Sequence, residues 1–122
     1  MMQAPELRIS VTCIRVPVLR AHAVALTVEF ERKITPEAAH ELLALAPGVR
    51  VVDDITANRF PIPIEATGQG DVLVGRIRND SSNASGRSLA LFAAGDQLLK
   101  GAAPNAVQIA ERLLEPDRRS AA

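Results

Sequence analysis

Near the N-terminus, apolar and polar residues alternate with the period of a β-strand. This pattern predicts strands over residues 7–16 and 22–32. Arg15 closes the apolar row of the first strand, and His22 opens the apolar row of the second. In one unbroken strand these two side chains would point to opposite faces. Because Pro17 cannot donate a ladder hydrogen bond and favours a bend, we expect Arg15 and His22 on the same face, at the same end of one sheet.

The rest of the chain alternates between strand and helix patterns. Thr35 followed by Pro36 is typical of a helix N-terminus, and Pro104 predicts a kink or a fresh helix start. The expected elements, in chain order, are a helix over 36–46, a strand over 49–53, a connection over 54–70 held extended by its prolines 61 and 63, strands over 72–78 and 88–94 joined by a polar turn, and a helical segment over 98–114. The order β-β-α-β-β-β-α predicts an α+β domain, with a mostly antiparallel sheet and helices packed on one face.

Composition limits the classes of partner. The 122 residues suit one domain, 1–122, and fourteen basic residues balance fourteen acidic ones, so no net field would attract nucleic acid. No apolar run approaches the roughly 18 residues that span a bilayer, and no signal-peptide pattern opens the chain. We therefore expect a soluble, cytoplasmic protein that binds neither membrane nor nucleic acid. No Cys/His set has metal-ligand spacing, so no metal site is expected.

Two residues are candidates for chemistry, and each also has a structural interpretation. His22 suits general acid/base catalysis, or it is a partly buried, hydrogen-bonded histidine. Arg15 can bind a carboxylate or phosphate through both arms of its guanidinium, or it forms a structural ion pair. Cys13 lies within an apolar row, where a thiol is usually inert packing rather than a nucleophile. His40 is expected to be solvated on the outer side of the first helix.

Three segments of the sequence resemble aspartate-semialdehyde dehydrogenase. They are residues 12–22 (TCIRVPVLRAH), 74–78 (VGRIR) and 95–111 (GDQLLKGAAPNAVQIAE). The resemblance is to the C-terminal part of that enzyme only. It implies the α+β C-terminal domain of the glyceraldehyde-3-phosphate-dehydrogenase-like type, which forms a homodimer through its sheet.

The resemblance also implies a reaction and roles for individual residues. The family reduces L-aspartyl-4-phosphate to L-aspartate 4-semialdehyde with NADPH, in the branch that leads to lysine, methionine and threonine. A cysteine upstream of this segment attacks the acyl phosphate and forms a thioester. His22 corresponds to the acid/base histidine, Arg15 to the arginine that binds the substrate carboxylate, and Gln97 to a polar residue on the nicotinamide side of the cofactor.

The chain departs from full-length members of that family. The nucleophilic cysteine motif is missing, and no glycine-rich turn after a strand marks an N-terminal NADP-binding Rossmann domain. We therefore expect a fragment or split piece that neither turns over substrate nor binds NADP alone. The alternatives are a non-enzymatic dimerisation or interaction module from the same family, and a gene that continues upstream of Met1.

Overall fold

The structure is a computed structural model that describes residue 10 and residues 16–114. The strand predicted over 7–16 therefore lies almost wholly outside the described residues. The elements are β1 (His22–Glu29), α1 (Pro36–Ala44), β2 (Val49–Val51), α2 (Pro63–Ala66), β3 (Val72–Asn79), β4 (Ser88–Gly95) and α3 (Ala103–Leu114).

The described strands form one sheet in the order β1-β4-β3-β2. β4 lies between β1 and β3 and is antiparallel to both, whereas the short β2 is parallel to β3. Helix α1 packs against β2 and β3, and α2 packs against β4. The predicted α+β class with a mostly antiparallel sheet is confirmed.

Helix α1 begins where its sequence predicts. The hydroxyl oxygen of Thr35 accepts a hydrogen bond from the Ala38 N–H at 3.2 Å, and Pro36 is the first helical residue. Hydrogen bonds from the backbone and from Thr35 lower the pKa of Glu37, which lies in this first turn. The helix ends at Ala44, two residues before the expected limit.

The connection over 54–70 is not extended throughout, which corrects the sequence prediction. Pro63 begins the short helix α2, and the Thr67 hydroxyl donates to the Pro63 carbonyl at 3.1 Å. The physical reason is that the fixed φ of proline suits the first position of a helix as well as an extended segment. Asp54 and Arg59 also form an isolated antiparallel bridge in this connection.

Helix α3 begins afresh at Ala103, with Pro104 as its second residue. A proline in the first turn of a helix removes no intrahelical hydrogen bond. Of the two alternatives predicted at Pro104, the fresh start is confirmed. The helical segment predicted over 98–114 is wrong for residues 98–102, which form a turn and a bend before the helix.

The core among the described residues is small. Leu73 and Leu89 are the largest fully buried apolar side chains, and one cluster brings together Ala21, Ala66, Leu73 and Ala94 with Val52 against it. In contrast, β1, which lies at the edge of the described sheet, is largely exposed, including Val24 (48%) and Leu26 (40%). Much apolar surface therefore remains uncovered on the described part of the chain.

Candidate functional site

His22 is the first residue of β1, and it faces the end of β4. Its Cα is the register partner of Gly95, the last residue of β4. Asp96 and Gln97 follow Gly95 directly, so strand pairing brings His22 to the same edge of the sheet as Gln97. The His22 side chain is exposed. Two of the three predicted site residues therefore lie at one end of the β1–β4 pair.

The chain bends before it enters β1. The Val18 N–H donates to the Val16 carbonyl at 2.9 Å, which makes a tight turn centred on Pro17. Ala21 then adopts a left-handed backbone conformation (φ 72°) while its side chain is buried. The predicted bend at Pro17 is confirmed, but a non-glycine residue with positive φ was not expected, because its Cβ makes this conformation unfavourable.

Asp96 is a fully buried carboxylate beside this edge, with 0% exposure. One of its oxygens, Oδ2, lies 2.7 Å from the Nε of Arg20 and accepts the N–H of Gly68 at 2.7 Å. The other, Oδ1, accepts the N–H of Leu98 at 2.9 Å. Buried charges in proteins are normally paired in this way, since an unpaired one carries a large desolvation penalty.

Two opposing effects act on the pKa of Asp96. Burial raises the pKa, but the hydrogen bonds from Gly68 and Leu98 and the ion pair with Arg20 outweigh it, so the pKa of the carboxyl lies below its ordinary value. Asp96 is therefore ionised at neutral pH, and the charged pair with Arg20 is its stable form.

The backbone of Gln97 lies in a tight turn, whereas the oxygen of its side chain makes no hydrogen bond within the described part of the chain. A Cβ atom on Gly101 would come within 2.8 Å of the Gln97 carbonyl oxygen, so the turn that follows β4 closes tightly on this residue. The side-chain oxygen Oε1 is buried and lacks a hydrogen-bond partner among the described residues. Such a group is usually satisfied by water or a ligand.

The remaining candidates fall into two groups. Arg15 and Cys13 lie outside the described residues, so a common face for Arg15 and His22 stays a prediction. His40 is exposed on α1, as expected. Apart from these candidates, Arg76 and Arg78 of β3 are exposed, and the Arg76 guanidinium lies 4.8 Å from the centre of the Phe60 ring.

Arg20 and Asp96 were not predicted as site residues from the sequence. The available signal was an aspartate placed directly after the apolar strand 88–95, where a buried charge needs a partner.

Within residues 16–114, no group of three or more His, Cys, Asp or Glu side chains could hold a metal ion. The helices described are also too short and too polar to cross a membrane.

Comparison with known proteins identifies the domain type. Residues 1–100 match the family model "Semialdehyde dehydrogenase, dimerisation domain". Aspartate-semialdehyde dehydrogenase of Synechocystis is 55% identical over 112 residues, which cover 92% of this chain and 32% of the relative. The enzyme of that name from Mycolicibacterium smegmatis is 50% identical over 109 residues, covering 89% of this chain and 30% of the relative.

Solved structures agree with the sequence comparison. Aspartate semialdehyde dehydrogenase II of Vibrio cholerae, described as complexed with ASA, aligns with a TM-score of 0.76 and 39% identity, over 87% of this chain and 30% of that one. The enzyme from Francisella tularensis aligns with a TM-score of 0.68 and 31% identity, over 80% of this chain and 28% of that one. The chain spans about a third of the length of these relatives. It belongs to the semialdehyde dehydrogenase dimerisation-domain family, as its sequence motifs indicated.

Proposed function

We propose that this chain supplies the dimerisation and acid/base part of an aspartate-semialdehyde dehydrogenase. The reaction is the NADPH-dependent reductive dephosphorylation of L-aspartyl-4-phosphate to L-aspartate 4-semialdehyde, in the cytoplasmic route to lysine, methionine and threonine. The observation that carries the proposal is the register of His22 with Gly95, two residues from Gln97, in a chain of this family. All the relatives named above bear the enzyme's name, which does not favour a non-enzymatic module.

In this proposal His22 moves a proton for a nucleophile that lies on another part of the enzyme. Its imidazole accepts the thiol proton of the catalytic cysteine as the sulfur attacks the acyl carbon and phosphate leaves. The exposed position of His22 at the end of β1 supports this role, because the imidazole is accessible to groups outside the described residues. A histidine enclosed in the core could not meet them.

Gln97 is proposed to bind the nicotinamide side of the cofactor. Its buried Oε1, which has no hydrogen-bond partner in the described part of the chain, can accept the N–H of a carboxamide, so the side chain fits such a group. Bound NADPH would supply the hydride that reduces the thioester. The contribution of Gln97 is to orient the nicotinamide ring, and the contact would give its side-chain oxygen a hydrogen-bond partner.

Arg15 is proposed to bind the substrate carboxylate, and the sheet to form the homodimer. A guanidinium pairs with a carboxylate through two parallel hydrogen bonds, which fixes orientation as well as affinity. The exposed apolar residues of β1 support the dimer, because they would be covered by a second copy.

The test combines this chain with the nucleotide-binding part of the Synechocystis relative, co-expressed as separate polypeptides. NADPH formation from aspartate semialdehyde, phosphate and NADP is followed by absorbance. We expect turnover by the pair and none by either part alone. His22→Ala should lower kcat by roughly 10²–10⁴-fold, whereas His40→Ala, which changes an exposed histidine on α1, should leave it unchanged.

Two outcomes would contradict the proposal. Turnover by the isolated chain would show that it carries its own nucleophile and cofactor site. A stable complex of the two parts without turnover would remove the enzymatic role and leave dimerisation as the function.

A further inference from the structure

Three separate segments of the chain converge on the carboxylate of Asp96. They are the bend before β1, through Arg20; the turn after α2, through the Gly68 N–H; and the turn after β4, through the Leu98 N–H. Gly68 is 28 residues from Asp96 in sequence. The carboxylate therefore joins parts of the chain that local structure alone would not hold together.

Two of these segments carry the residues of the proposed site. Arg20 lies two residues before His22, with only the left-handed Ala21 between them. Gln97 lies between Asp96 and Leu98, both of which take part in the hydrogen bonds of the carboxylate. A shift of the Arg20–Asp96 contact would thus be transmitted to both functional side chains through one or two peptide units.

Strand pairing does not by itself fix these positions. His22 is the terminal residue of β1, and strand ends open more readily than strand centres. Ala21 occupies a conformation that costs free energy and persists only where its surroundings impose it. The ion pair at 2.7 Å and the burial of Ala21 supply those surroundings.

We propose that Arg20 and Asp96 are positioning residues, which hold His22 and Gln97 in the relative placement that the reaction needs. The inference deepens the proposed function and rests on it. Neither side chain is proposed to touch substrate or cofactor. Their effect is geometric, since a displacement of about 1 Å in a reacting group can cost on the order of 10²-fold in rate.

The kinetic test uses the two-part enzyme described above, with Arg20→Ala, Arg20→Lys and Asp96→Asn in this chain. Arg20→Ala and Asp96→Asn should each lower kcat by about 10- to 100-fold, with the KM for aspartate semialdehyde changed by less than about twofold. The double variant should lose little more than either single variant, because both break one contact. Arg20→Lys keeps the charge and should recover part of kcat.

The matched control is another ion pair, at the opposite end of the β1–β4 pair. Arg87, just before β4, lies 3.2 Å from Glu29 at the far end of β1. Arg87→Ala removes an arginine pair between β1 and the chain leading into β4, but at the end away from His22, so kcat should not change. An equal loss of kcat in Arg87→Ala would overturn the inference, and so would an unchanged kcat in Arg20→Ala.

A second measurement separates this inference from the proposed function. In ¹H–¹⁵N spectra of the 122-residue chain, Arg20→Ala should shift the amide signals of His22 and Gln97, whereas Arg87→Ala should not. If the unmodified two-part enzyme is inactive, the proposed function has failed. The spectra then still decide whether the Arg20–Asp96 ion pair holds the segments of His22 and Gln97 in place. Unshifted signals in Arg20→Ala would refute it. If Asp96→Asn does not fold, Arg20→Ala carries the test, since that side chain is partly exposed.

Discussion

Gly75 in β3 lies directly against the backbone oxygen of Val52. A Cβ atom at position 75 would overlap that oxygen and would also come within 2.8 Å of the Pro61 side chain. The Val52 N–H in turn donates to the carbonyl of Val74 at 2.8 Å. This close approach occurs where the pairing of β3 with β4 shifts register, between Gly75 and Arg78. The glycine therefore allows the chain after β2 to pack on a bulged strand.

Replacing this glycine should destabilise the fold. Gly75→Ala forces a methyl group into backbone atoms that cannot rotate away, and we expect a loss of about 1–3 kcal/mol in the free energy of unfolding. The matched control is Gly70→Ala, because a Cβ there would meet no atom within 4 Å. That variant should be neutral or stabilising by roughly 0.4–1 kcal/mol. Urea unfolding followed by circular dichroism measures both, and equal midpoints would contradict the prediction.

The bulge next to Gly75 also depends on a carboxylate. Asp53 accepts the N–H of Arg76 at 2.8 Å and that of Ile77 at 2.9 Å, and Arg76 has a positive φ of 54°. Asp53→Ala leaves both donors without this acceptor, so we expect a loss of roughly 1–3 kcal/mol in unfolding free energy. Asp71→Ala, at an exposed position just before β3, serves as the control. Hydrogen exchange should show faster exchange of the Ile77 amide in Asp53→Ala only.

The local elements were predictable because their signals are local. The Thr35 cap, the proline at position 36 and the alternation in β1, β3 and β4 each depend on residues near in sequence, and the structure has these elements at the expected places. Helix α2 was missed because Pro63 is compatible with two backbone conformations, and only the packing of α2 against β4 selects one.

The site was predictable only in part. The alternation predicted that His22 opens a strand, but it did not predict that this strand pairs with β4, which lies far along the chain. The contact between Arg20 and Asp96 joins residues 76 positions apart, and no periodicity encodes it. The positive φ of Ala21 could not be predicted from the sequence either, because alanine is not typical of turns and its conformation is imposed by tertiary contacts.

The pairing of Asp96 predicts how stability changes with pH. Because the folded pKa lies below the ordinary value of 3.8, the unfolded chain binds the proton first as the pH falls. The contribution of Asp96 is therefore fully present above pH 3.8 and is lost as the pH drops below that value. The difference in unfolding free energy between the unmodified chain and Asp96→Asn should shrink over this range, as measured by urea unfolding at a series of pH values.

A second carboxylate provides a check on this result. Hydrogen bonds from Ser82 and Ser88 lower the pKa of Asp80 at the opposite end of β4, so Asp80→Asn should show the same direction of change. Eight residues of strand separate the two sites, roughly 26 Å. Their effects should add in the double variant. A difference for Asp96→Asn that grows as the pH falls would contradict the assigned direction.

The apolar face of β1 offers a test of dimerisation. Val24, Leu26 and Val28 alternate along β1, and their partners in β4 are Ala93, Leu91 and Leu89. These side chains therefore share one face of the sheet.

Leu26 is 40% exposed on this face. Full burial of a leucine stabilises an interface by about 1.5–3 kcal/mol, so Leu26→Glu should weaken the proposed dimer at least about 10-fold in Kd. Thr27→Glu changes the neighbouring exposed residue on the opposite face and should leave the Kd nearly unchanged. Sedimentation equilibrium measures both variants, and equal dissociation of the two would show that this apolar row does not form the contact.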